Sequence, residues 1–226
     1  MTVESIGTMP NAILHPLGDA ALLVKFGNDV GSGANRAAIG FADILKRARL
    51  PGVAEIATSL VSVFVGYDPA RVSFQVLSGE IRLRLPGTLP ALPDMGEPFP
   101  IEVEYGGAGG PDFQAVCDAL ELTPDELIAA HQTGTPRVLS GGFSPGFVYI
   151  GPHEANLTVP RRETLREDVP AGSVLFAAGQ TAITATRIRT GWNVIGRTDF
   201  RNFDLARTPP VTLMPGRIIQ FAGGLA

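Results

Sequence analysis

Residues 141–151 read GGFSPGFVYIG and place Phe143, Pro145, Gly146, Phe147 and Tyr149 in one short stretch. Glycine beside an aromatic lets backbone approach a ligand while a ring walls it. The plainer reading is a tight loop between strands with the rings in the core, and residue types alone leave both open. Downstream, VPRRETLREDVPAGSV (159–174) carries Arg161 and Arg166. Two guanidinium forks at a pocket mouth can clamp a carboxylate or a phosphate in bidentate fashion. On residue type alone a solvated loop is the simpler account. In AAGQTAI (177–183), Gln180 is a lone amide among small and apolar neighbours. If buried it must find partners, either backbone groups or a polar ligand. TGWNVIGRT (190–198) adds Trp192, the single tryptophan, and ends a strand with Arg197 and Thr198. A core tryptophan and a turn arginine are the competing reading there.

Self-contained catalytic motifs are absent from the sequence. It has no G-x4-GK-[ST] loop to cradle phosphates and no G-x-S-x-G elbow. His15, His131 and His153 are scattered, with no zinc-like spacing. Cys117 lies within AVCDAL and reads as a packed core thiol.

The elements that must position these residues follow from periodicity. Residues 12–26 read as two strands around a turn at Gly18-Asp19. Residues 34–48 repeat apolar positions at helical spacing, and Pro51-Gly52 stop that helix. Strands at 53–58 and 60–67 follow, then a helix over 73–84 with Ser73 as N-cap. The order ββα-ββα predicts a small antiparallel sheet with helices, an α+β domain. Residues 86–100 are a Pro/Gly-rich linker, which puts the domains at 1–88 and 89–226. Beyond it come a strand at 101–106, a helix at 112–121 and a capping box at Thr123-Pro-Asp-Glu. From Arg137 onward short apolar runs are broken by Gly, Pro, Thr and Asn, the pattern of a barrel or sandwich.

Composition limits the partners. Net charge is −4 over 226 residues, which offers no nucleic-acid footprint. Of 18 basic residues only Lys25 and Lys46 are lysines, a bias that GC-rich coding explains more simply than anion recognition. The start, MTVESIGTMPNAILHP, lacks the basic and apolar regions of a secretory signal, and no apolar run spans a bilayer. A cytoplasmic, soluble protein is expected.

Taken in order, several blocks resemble the family named for KipI, which includes the B subunit of 5-oxoprolinase and the first subunit of allophanate hydrolase. They are PLGDAALLVKFG (16–27), LPGV (50–53), YDPAR (67–71), His131-Gln132-Thr133, GFSPGFVYIG, Pro160-Arg161 with Arg166, VPAGSV (169–174), Gly179-Gln180-Thr181 and GWNVIGRT (191–198). The resemblance covers nearly the whole chain. It implies a second domain that is all-β, a cyclophilin-like barrel. It implies a component of an ATP-dependent 5-oxoprolinase that converts 5-oxo-L-proline to L-glutamate. The implied partners are a protein like the C subunit of 5-oxoprolinase, associated with KipI, and an A subunit of the LamB/YcsF type. ATP is implied to be bound by the complex and not by a P-loop in this chain. Other members imply alternatives: an allophanate hydrolase or urea-carboxylase-like enzyme, or a KipI-type histidine-kinase inhibitor. Within the first scheme Arg161, Arg166 and Arg197 bind carboxylate or phosphoryl oxygens, and Gln180 bonds the amide. Phe143, Phe147, Tyr149 and Trp192 wall the cleft, and His131 is the candidate acid or base with Arg197 as catalytic partner. The sequence departs from the family pattern at Ser144, Ala178, Thr184-Ala185, Thr190 and Leu165. These positions cluster around the implied cleft and bear on the substrate.

Overall fold

The computed structural model describes residues 7–30 and 33–226; the first six residues of the N-terminal stretch read above for a secretory signal lie outside the described residues. The chain divides into two compact units, one ending at Asp94 and the other beginning at Met95, within the Pro/Gly-rich segment.

The first unit contains β1 (Ile13–Pro16), β2 (Ala21–Lys25), α1 (Ala34–Ala48), β3 (Val53–Thr58), β4 (Ser62–Tyr67) and α2 (Phe74–Arg82). The strands form an antiparallel sheet in the order β1-β2-β4-β3. Leu22 and Val24 of β2 alternate into the core, as do Val63 and Val65 of β4. Ala37, Phe41 and Leu45 present the apolar stripe of α1 to the same core, where Phe26 meets Phe41 edge-on at 5.6 Å. Helix α1 ends where Arg49 adopts a left-handed conformation ahead of Leu-Pro-Gly. Ser73 caps α2 by accepting the Val76 N–H at 3.3 Å.

The second unit contains β5 (Phe99–Tyr105), α3 (Phe113–Leu120), α4 (Pro124–Gln132), β6 (Arg137–Gly141), β7 (Val148–Gly151), β8 (Arg166–Val169), β9 (Ser173–Ala177), β10 (Gln180–Ile183), β11 (Ile188–Thr190), β12 (Asn193–Arg197) and β13 (Ile219–Leu225). This unit is mixed and not all-β: α3 and α4 contribute Val116, Cys117, Leu127 and Ile128 to its main core. Thr123 and Glu126 complete the capping box that starts α4. A seven-stranded sheet runs β13-β5-β12-β9-β10-β7-β6, with β11 and β8 as a separate pair. All its pairings are antiparallel except β13 with β5. The sheet curls until its edges meet, for Val138 N–H donates to Arg217 O and Ile219 N–H to Pro136 O. Closure of this kind leaves fewer unpaired backbone groups at the edges.

Alternation along these strands divides the side chains between two cores. Val148, Ile150, Val174, Phe176 and Ile183 face the helices. Phe147, Leu175, Ala177, Ala182, Trp192 and Val194 face the other way, where Val169 and Ile188 of the β8–β11 pair cover them.

Candidate functional site

A cleft of about 330 Å³ in the second unit gathers Arg166, Arg197 and Thr198 with Arg201, Asp168 and Asp199. Arg166 opens β8, while Arg197 closes β12 and leads into Thr198. The Arg201 guanidinium donates to the carbonyls of Thr198 at 2.9 Å and Phe200 at 3.2 Å. It lies over Gly172, where any Cβ would collide with it. Arg197 Nε donates to Glu104 Oε2 across the β5–β12 pairing at 2.6 Å. Guanidinium and hydroxyl donors on a concave wall suit carboxylate or phosphoryl oxygens.

Behind this wall lies Asp112, 3% exposed. Its carboxylate accepts from Arg166 Nε at 2.9 Å, Arg166 Nη2 at 2.6 Å, Arg162 Nη1 and the Val194 N–H at 2.9 Å. Burial pushes the Asp112 carboxyl upward. The Arg166 and Val194 hydrogen bonds and the charges of Arg166 and Arg162 more than offset that, so it is held below the usual carboxylate range. Asp112 escaped the sequence reading. Its signal was slight: a lone acid after Gly-Gly-Pro at a helix start, a position that reads as an N-cap.

The aromatic residues lie elsewhere, on the face that carries Trp192. Ring centroids step from Phe143 to Phe147 at 5.3 Å, to Tyr149 at 5.0 Å and to Trp192 at 5.9 Å. Arg161 closes the series, 5.5 Å above the Trp192 ring. Phe147 and Trp192 are buried members of the core, so they support the face more than they wall an open cleft. Phe143 is 70% exposed, with φ of 81° on the β6–β7 loop. Pro145 is exposed beside Gly146. Gly146 has φ of 70°, and an added Cβ would come within 2.5 Å of Phe203 Cβ. Gln180 shares a face with Ala182 and pairs with Ala177 of β9, next to Phe176, which pairs on its other side with Asn193, the residue after Trp192. Its Oε1 is buried with no partner among the described residues.

His131 is inside the main core and 1% exposed, out of direct reach of a ligand. Its Nδ1 meets Tyr105 Oη at 2.8 Å and its Nε2 meets Thr181 Oγ1 at 2.7 Å. His153 Nε2 reaches the same hydroxyl at 2.7 Å, and the two rings stack at 5.0 Å. Two of the three scattered histidines are therefore neighbours, while His15 is exposed on β1. Burial depresses both His131 and His153, the latter to about 4, so both are neutral at pH 7. Burial also pushes the Tyr105 phenol well above its ordinary value. Among the described residues no three His, Cys, Asp or Glu are grouped to hold a metal ion.

A family model described as carboxyltransferase domain, subdomain C and D, matches residues 12–213. The chain belongs to this family. The ordered blocks read from the sequence are those of the group that holds KipI and the B subunit of 5-oxoprolinase. Within the carboxyltransferase C and D family, the chain is 30% identical over 218 residues to a Bacillus subtilis protein named as the B subunit of 5-oxoprolinase, covering 92% of this chain and 91% of that protein. An Escherichia coli O157:H7 protein of the same name is 40% identical over 121 residues, 54% of this chain and 56% of its own. Among solved structures, TTHA0988 superposes with a TM-score of 0.78 at 31% identity; this match covers 90% of the present chain but only 39% of TTHA0988. Kluyveromyces lactis urea carboxylase shares the fold, with a TM-score of 0.73 at 13% identity over 95% of this chain and 22% of its own. No helix among the described residues is long and apolar enough to cross a membrane.

Proposed function

We propose that this chain is one component of an ATP-dependent 5-oxoprolinase complex that opens 5-oxo-L-proline to L-glutamate. The observation that carries the reading is the match along nearly the full length of the Bacillus subtilis protein named as the B subunit of 5-oxoprolinase. A protein like the C subunit and an A subunit of the LamB/YcsF type complete the complex, which acts in the cytoplasm. The cyclophilin-like form of the second unit belongs to the same proposal, supported by a curled sheet whose edges hydrogen-bond.

The geometry supports roles within it. The Arg166–Arg197–Arg201 cleft with Thr198 receives carboxylate or phosphoryl oxygens. Gln180, whose buried Oε1 has no partner among the described residues, is assigned to the lactam amide on the face of Tyr149, Trp192 and Arg161, and the arginine cleft at the other end of β9 is assigned to phosphoryl oxygens of ATP. ATP, when bound to the complex, would supply a phosphoryl group to the lactam oxygen, which makes the ring carbon more electrophilic toward water so that the C–N bond can break with the nitrogen taking up a proton. The donors of the cleft fit phosphate oxygens. The chain itself binds and orients, and His131 acts through Thr181 and His153 rather than on the substrate.

The test is ATP-dependent glutamate release from 5-oxoproline by the three chains expressed together. Turnover that needs all three supports the reading. A soluble, intact complex without turnover overturns it. The family's carboxyltransferase description favours one second reading, an enzyme component that works on allophanate or another urea-like amide. The same complex assayed on those substrates decides between the two.

A further inference from the structure

Asp112 stands at the start of α3, yet its carboxylate makes no capping bond to that helix. Four donors fill it instead, one from β12, two from Arg166 of β8 and one from Arg162 in the segment that leads into β8. A carboxylate has about four lone-pair sites, so none remains for a ligand. That segment is tied down again by Arg162 N–H to Gly191 O at 2.7 Å and Asn193 Nδ2 to Pro160 O at 3.0 Å. Arg161 is carried on it, above Trp192.

We infer that Asp112 is a positioning residue for the anion cleft, fixing Arg166 in the cleft wall and, through Arg162, seating the 160–166 segment that holds Arg161 over Trp192. The inference rests on the proposed reading of the cleft as a carboxylate or phosphoryl site. Asp112 grips the Nε–Nη2 edge of Arg166 through two hydrogen bonds, one to each carboxylate oxygen. Rotation of the guanidinium is thereby removed, and its Nη1 is left pointing away from Asp112. A buried carboxylate with two arginines is a weak source of stability compared with apolar packing, so its worth lies in specifying geometry. Two features of the proposed site, the cleft arginine and the Arg161–Trp192 pair, therefore depend on one nearly buried acid whose acceptor sites are filled by protein donors.

Trp192 is the single tryptophan, so its fluorescence reports the segment without ambiguity. The experiment compares wild type with Asp112→Asn and Arg162→Met in the full chain. It reads acrylamide quenching of Trp192, the affinity for inorganic phosphate and for 5-oxoproline by titration, and the far-UV spectrum. Asp112→Asn keeps the shape but replaces an acceptor with a donor. It should raise the quenching constant about twofold and weaken both ligands about tenfold, the effect of one lost bidentate contact. Arg162→Met leaves Arg166 on Asp112, so quenching should rise while phosphate affinity holds. A merely structural Asp112 would lower the melting point of both variants without separating the two readouts. If Asp112→Asn does not fold, ¹⁵N spectra of wild type serve instead. The Arg166 Nε–H should exchange slowly and shift on phosphate addition, and a fast-exchanging, unshifted signal overturns the inference. Wild type that binds neither phosphate nor 5-oxoproline overturns the cleft reading and the inference together. Wild-type binding that Asp112→Asn leaves unchanged, with unchanged quenching, overturns the inference alone.

Discussion

His131 and His153 stack with ring centroids 5.0 Å apart and share one hydrogen-bonding partner, the Thr181 hydroxyl. That hydroxyl has one proton and can donate to only one of the two Nε2 atoms. The other imidazole must then carry its proton on Nε2, so the tautomers of the two rings are coupled. Removing the hydroxyl leaves two ring nitrogens in the core without a partner. Thr181→Val should therefore cost about 3 kcal/mol, although it is nearly isosteric. Urea denaturation followed by Trp192 fluorescence measures this, and a loss near zero would show that buried water or a new partner satisfies the rings.

Acid should destabilise the second unit through the same pair. In the fold His153 is depressed from 6.5 to about 4, and His131 is depressed by burial and by the neighbouring His153. The unfolded chain binds these protons first. Stability is complete above pH 6.5 and falls as pH drops toward 4, by about 3 kcal/mol for His153 alone. Asp112, held below 3.8, contributes its loss only at lower pH. Melting curves between pH 7 and 4 should show the decline in wild type and a shallower one in His153→Asn.

Gly223 of β13 pairs with Val103 of β5. Its φ is 120°, and an added Cβ would overlap the Val103 carbonyl oxygen. Gly223→Ala should cost about 3 kcal/mol or more and loosen the parallel β5–β13 pairing. Hydrogen exchange should show lost protection in residues 219–225, and protection equal to wild type would refute the close approach.

Arg197→Ala should separate function from stability. The Arg197 and Glu104 side chains are 60% and 45% exposed, so losing their ion pair should barely move the melting point. Turnover of the assembled complex should fall at least about tenfold. Full activity in an intact complex removes Arg197 from the site.

Gln180→Leu tests the amide from the other side. The wild-type Oε1 is buried with no partner among the described residues, so an apolar replacement of similar size should raise stability by about 1 kcal/mol or more. The KM for 5-oxoproline should rise about tenfold, the worth of a hydrogen bond made only to substrate. An unchanged KM would assign Gln180 to the fold alone.

Local signals in the sequence were sufficient for much of the architecture. The apolar repeat at Ala37, Phe41 and Leu45, the Ser73 cap, the Thr123–Glu126 capping box and the alternation of Val63 and Val65 depend on neighbours within a turn or a strand. Propensity and periodicity act at that range, while the family was legible for a different reason, the identity and order of motif blocks along nearly the whole chain. The all-β expectation for the second unit failed although its helices were themselves legible. Whether α3 and α4 pack into that core depends on Cys117 and Leu127 meeting β-strand residues far along the chain.

The site was legible as residue types but not as an arrangement. Arg166, Arg197 and Thr198 share a cleft because β8 and β12 come together in space, and no spacing in the sequence encodes that. Asp112 looks like a helix cap until folding brings Arg162, Arg166 and Val194 to it. His131 looked like an acid or base, and burial beside His153 made it neutral. Sequence by itself determined the elements and their order, because those rest on local backbone preference and apolar pattern, and the family, because its ordered motif blocks match residue by residue without a structure. Only tertiary structure decided which charges are buried together, since pairing, desolvation and pKa depend on groups that approach across the fold.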